Sequence, residues 1–191
     1  MSKKKLNGAD YLLLLLYLNE KKPIYGAIRL TKMMFLFNEE IAPLLKKSGA
    51  KCQKLPEFIA YNYGPFSKDV YEQIELFRGI KFIQVTDIKA QEEMAEVDDW
   101  EEMAFTEEVS SQGYSLNTNG SYYRYQLLST GERFVKENII NQLTAEQINI
   151  LSQFKQKITE LSPKQILKYV YTKYPKYTEK SLIKKEVLDN E

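Results

Sequence analysis

The stretch YLLLLLYL, residues 11–18, constrains this chain more than any other feature. An unbroken apolar run leaves a helix with no polar face, so protein must surround it on every side. It is far too short to span a bilayer, which takes about 20 residues. Asp10 abuts it, NEKKP follows it, and no small-x-small cleavage pattern appears, so MSKKK and this run are not expected to make a secretory leader. Residues 10–19 are expected to form a core helix, and a chain of 191 residues is long enough to enclose it.

The elements that must do the enclosing follow in order. EKKPIYGAI reads as a loop punctuated by Pro23 and Gly26. In RLTKMMFLFNEEIAPLL, Leu30, Met33 or Met34, and Phe37 recur at helical spacing, which predicts an amphipathic helix. EFIAYNY is β-branched and aromatic enough for a short strand, with Tyr61 and Tyr63 on one face. A Gly64-Pro65 turn is then expected, with Ser67 capping a helix whose apolar stripe is Val70, Ile74 and Phe77 and which Gly79 ends.

Strands near 80–88 and 122–128 read as a hairpin whose connection, residues 90–121, is acidic and enlarged. That insert is expected to be mobile, with Met94, Val97, Trp100, Met103 and Phe105 forming the stripe of a short amphipathic helix. Three capping-box patterns follow: Ser129 with Glu132, Thr144 with Gln147, and Ser162 with Gln165. A short last helix is expected near Thr178. The fold class is therefore mostly α with a small antiparallel β hairpin or sheet. It divides into a winged-helix-like core over residues 1–140, carrying the insert, and a C-terminal helical extension over 141–191.

Two segments together carry a resemblance: RLTKMMFLFNEE and then AYNYGPFSKDVYEQI. They resemble the core of the SocA-like Panacea-domain family, whose members carry a lysine-bearing apolar helix followed by a YGP turn that opens the next helix. The matching residues are Leu30, Lys32, Phe35, Tyr63, Gly64, Pro65, Phe66, Val70 and Tyr71, and the overlap runs from about 10 to 85. The resemblance implies a non-catalytic module, an antitoxin that binds and neutralises a partner toxin or a proteolytic adaptor. On that reading the partner-binding residues are Lys32, Tyr61, Tyr63, Gly64, Pro65, Phe66, Ser67 and Glu72.

The residue inventory bears on chemistry independently. With no histidine, the commonest general base and metal ligand is missing. The single cysteine, Cys52, allows neither a zinc set nor an internal disulfide, and it suits a reducing cytoplasm. No phosphate-binding glycine motif occurs. Glu20-Lys21-Lys22 has nuclease-like spacing but lies at a helix end. Asp98, Asp99, Glu101 and Glu102 lack calcium-loop spacing and read as solvated charge. No enzyme, cofactor or metal is expected.

DNA binding is the competing expectation. In a winged helix the segment 67–78 would enter the groove, yet its non-stripe positions include Asp69, Glu72 and Glu75, which phosphates repel. The net charge is only +1, although lysines at 3–5, 21, 22, 46, 47, 51 and 54 would allow another docking. The C-terminal KYVYTKYPKY alternates bases with tyrosines, but Tyr169, Val170 and Tyr174 are spaced as core contacts would be.

Overall fold

Residues 5–88 and 123–189 are described by the structure, a computed structural model. The acidic insert, its apolar stripe and its carboxylates at 98–102 lie outside the described residues.

The leucine run forms α1 (Gly8–Lys21). Asn7 and Asp10 cap it reciprocally, each side chain accepting from the other's backbone N–H at 2.9 Å. Tyr11 to Leu16 are all buried. Regular helix geometry breaks at Leu18, and Asn19, Glu20 and Lys21 take positive φ of 53°, 57° and 60°. Each such residue costs about 1–2 kcal/mol. The buried Lys155 offsets this: its Nζ donates to Leu18 O at 2.7 Å and Lys22 O at 2.8 Å, filling acceptors that a broken helix end leaves open.

β1 (Ile24–Tyr25) leads into α2 (Ala27–Leu36). The rod continues through a π-helical stretch, Phe37–Ile41, into α3 (Ala42–Lys47). Pro43 has no N–H for the carbonyl one turn back and its ring crowds it, which is a physical reason to widen the helix just before it. The expected amphipathic pattern for α2 needs correction, because Ala27, Ile28 and Leu30 to Leu36 are all buried. Helices from the C-terminal part cover the side that periodicity would leave wet.

β2 (Ile59–Tyr61) and β3 (Gly64–Phe66) form a hairpin, followed by α4 (Lys68–Gly79). β4 (Ile83–Asp87) and β5 (Tyr123–Leu127) pair antiparallel, and β1 joins the other side of β5, giving the order β1-β5-β4. Tyr123, Tyr125 and Leu127 point into the core while Arg124 and Gln126 are half-buried, the alternation of a sheet with one packed face.

α5 (Ser129–Asn138), α6 (Ala145–Glu160), α7 (Pro163–Lys173) and α8 (Lys184–Asp189) complete the described chain. The boxes at Thr144–Gln147 and Ser162–Gln165 form as expected. The one at Ser129 does not, since Leu128 occupies the cap and Ser129 is already helical. Glu132 instead accepts from Lys21 at 2.7 Å and Lys136 at 2.8 Å. Those two bonds, Lys136 first, hold its carboxyl down at about 2. The last helix begins at Lys184, with a 3-10 turn at Pro175–Thr178 where it was expected.

α6 packs on α1 and α2, and α7 packs on α2, within one continuous apolar cluster. Among the described residues no helix is long and apolar enough to cross a membrane.

Candidate functional site

The corner at 59–67 is built differently from its sequence reading. The turn is Asn62-Tyr63, and Gly64-Pro65-Phe66 is a strand, with Tyr61 opposite Gly64 and Ile59 opposite Phe66. Tyr61 and Tyr63 therefore do not share a strand face. A two-stranded ribbon has only edge strands, so Pro65 is tolerated there. Gly64 has φ +86°, a conformation that L side chains resist, and a Cβ on it would lie 2.8 Å from Cε1 of Tyr171. Only a residue without a side chain lets the hairpin lie against that ring.

Of the eight residues singled out in sequence, six face inward. Lys32, Tyr63, Gly64, Pro65, Phe66 and Ser67 are buried, Tyr61 is half-buried and Glu72 is exposed. Lys32 reaches from α2 to donate to Pro65 O at 3.0 Å. Phe66 stacks on Tyr71 at 5.3 Å, the staple expected across a helix start, and the Ser67 hydroxyl accepts from Val70 N–H. The motif fixes α4 against α2.

The C-terminal segment locks the other side of the corner. Tyr171 and Ser181 share a hydroxyl hydrogen bond of 2.8 Å, and Leu182 N–H donates to Asn62 O at 2.8 Å. Phe35 sits edge-on to Phe58, Tyr174 and Tyr177 at 4.8 to 5.4 Å. Tyr171, Ser181 and Leu182 were not legible as part of this site, because nothing local ties residue 171 to residue 64.

The YVYTKY stretch divides. Val170 is buried and Tyr174 half-buried, but Tyr169 is at the surface. Glu40, on the π-helical stretch, accepts from Tyr169 at 2.8 Å, Tyr174 at 2.9 Å and Lys173 at 3.1 Å. Burial first, and then Glu40, pushes the Tyr174 hydroxyl well above the usual tyrosine range. Its hydrogen bonds to Tyr169 and to Glu40 hold the Lys173 ammonium above its ordinary value. These rings are engaged in holding α7 to the π-helical stretch.

What the corner presents to solvent is the outer face of α4. Leu76 there is 57% exposed, and Ile80, one turn on, is 46% exposed. Between α4 and the segment 54–57 runs an open groove of about 630 Å³, lined by Lys54, Leu55, Pro56 and Glu57 on one side. Asp69, Glu72, Gln73 and Leu76 line the other. Lys68 bridges Glu72 at 3.2 Å and Arg78 bridges Glu75 at 3.5 Å, exposed pairs worth a few tenths of a kcal/mol. Among the described residues no cluster of three metal-ligating side chains occurs.

The family model described as "Antitoxin SocA-like, Panacea domain" matches residues 30–185. Neither the curated proteins nor the solved structures contain a match.

Proposed function

Because this chain belongs to the antitoxin SocA-like Panacea-domain family, we propose that it is a non-catalytic module that binds and neutralises a protein partner. The observation that carries the reading is the outward face of α4. An exposed leucine, Leu76, lines one groove wall with Asp69 and Glu72, on a helix whose start is held by the Phe66–Tyr71 stack behind a strand that Lys32 ties to α2. Exposed apolar residues rimmed by charge on a rigid helix are what a protein interface uses. The buried motif residues then act as scaffold, and Tyr61 and Glu72 are the two of the eight that reach a partner.

The test is co-expression with the product of the neighbouring gene, scoring growth rescue and co-purification for wild type, Tyr61→Ala and Glu72→Lys. Rescue and co-purification reduced by either substitution, with an unchanged melting curve, support the reading. Absence of rescue and of any specific complex for the wild type defeats it.

A second reading has its own support. Set aside the π-helical stretch, α3 and the β2–β3 hairpin that intervene between α2 and α4, and the remaining order α1-β1-α2-α4-β4-β5 with strand order β1-β5-β4 agrees with a winged helix, a common DNA-binding core. The sign of α4 weighs against it, since Asp69, Glu72 and Glu75 would face phosphates. Saturable, salt-sensitive duplex binding that Glu72→Lys leaves unchanged or strengthens would favour it.

A further inference from the structure

The groove beside α4 is held open before anything enters it. Gly8 N–H donates to Lys54 O at 3.2 Å, and Pro56 lies so close to Gly8 that a Cβ there would come within 2.5 Å of its ring. Asn38 Nδ2 donates to Pro56 O at 2.6 Å, and Asp69 accepts from Glu57 N–H at 2.9 Å. The wall at 54–57 is thus tied to the start of α1, to the π-helical stretch and to the first turn of α4. A partner entering it pays little for ordering that wall.

The chemistry of the lining is mixed in a specific way. Leu55, Pro56 and Leu76 supply apolar surface, and Leu76 keeps more than half of its own exposed. Among the described residues of the lining, Glu57, Asp69 and Glu72 are acidic and Lys54 is basic, and Lys68 stands at the rim in its bridge to Glu72. The Lys68–Glu72 bridge is solvent-exposed on both sides, so an incoming cation exchanges with it at small cost. Gln73 Oε1 is shielded from water with no donor among the described residues, and turning that amide toward an incoming N–H would relieve it.

We infer that this groove takes an apolar side chain carried on a lysine- or arginine-rich amphipathic segment of the partner protein. Charge complementarity selects that occupant, because an acidic segment or a nucleic-acid backbone meets three carboxylates at the rim. The apolar anchor supplies affinity and the flanking cations supply orientation. The inference rests on the protein-binding reading above and narrows its partner to one class of segment.

The probe is a fluorescent helical peptide of leucine and lysine, compared with a leucine and glutamate peptide, in anisotropy titrations at physiological salt. Wild type should bind the basic peptide saturably and the acidic one at least tenfold more weakly. Leu76→Asp should weaken the basic peptide at least tenfold, because it removes apolar wall that the anchor packs on and puts a charge in its seat. Glu57→Lys with Glu72→Lys should weaken it comparably, whereas Leu44→Asp, at an exposed leucine of α3 outside the groove, should not. Melting curves show that each variant is folded.

Equal binding by Leu76→Asp, or no saturable binding by the wild type, overturns the inference. So does a concentration-dependent dimer that Leu76→Asp abolishes, since a second copy would then fill the groove. The two readings fail separately: neutralisation that survives Leu76→Asp refutes the groove and leaves the protein-binding function standing. Loss of all neutralisation by wild type refutes that function itself.

Discussion

Replacing Gly64 by alanine tests how the YGP motif works, and the cost can be worked from two separate contributions. The backbone at φ +86° charges an L residue about 1–2 kcal/mol. The new methyl would sit 2.8 Å from Cε1 of Tyr171 and 3.4 Å from its Cζ and hydroxyl oxygen. That ring is 1% exposed and its hydroxyl is bonded to Ser181, so it has nowhere to swing, and overpacking of this kind costs about 1–3 kcal/mol. Alanine also stiffens the unfolded chain and returns about 0.4–1 kcal/mol. The net expectation is a loss of about 1–5 kcal/mol, or roughly 2–20 °C in Tm for a chain of this size.

Gly49→Ala is the control, since Gly49 has φ +89° with nothing within 4 Å of the Cβ position. It should show the backbone contribution alone, about 1 kcal/mol. Urea unfolding followed by circular dichroism measures both. Combining Gly64→Ala with Tyr171→Ala should recover the crowding portion and leave the backbone portion. If Gly64→Ala costs no more than Gly49→Ala, the Tyr171 ring is not seated on the hairpin and this account of the motif is wrong.

Burial holds the Lys155 ammonium down at about 7, so between pH 7 and its ordinary 10.5 the unfolded chain binds more protons than the folded one. Stability should therefore rise with pH through that window, by at most about 1.4 kcal/mol per unit. The urea midpoint at pH 7 and pH 9 should show a larger gain for wild type than for Lys155→Met. Thr144→Ala and Ser162→Ala should each cost about 1 kcal/mol in urea unfolding, while Ser129→Ala, at a position that caps nothing, should stay within about 0.5. Glu40→Ala leaves Tyr169, Tyr174 and Lys173 without their common acceptor and should destabilise by about 1–2 kcal/mol. Spectrophotometric titration should also show the Tyr169 and Tyr174 hydroxyls ionising at lower pH than in wild type, since Glu40 raises both.

Local signals in this sequence determined local structure. A leucine run with no polar face had to be interior, and Tyr11 to Leu16 are. Ser67, Thr144 and Ser162 start their helices because a short side chain can reach a backbone N–H three residues on, whatever surrounds it. The pairing of RLTKMMFLF with YNYGPFS marked the family for the same reason, as both halves are short and contiguous. What spacing could not decide was which side of an element would be covered by residues far away in the chain. Leu30 to Leu36 looked one-sided until α6 and α7 closed over α2. Lys32 looked available until Pro65 supplied an acceptor for it, and Gly64 looked like a turn until Tyr171 filled the space a side chain would need. Burial is a sum over distant neighbours, so the motif residues turned inward, and the surface we propose for a partner consists of Glu72, Leu76 and the wall at 54–57, which no local pattern distinguishes from ordinary solvated helix and loop.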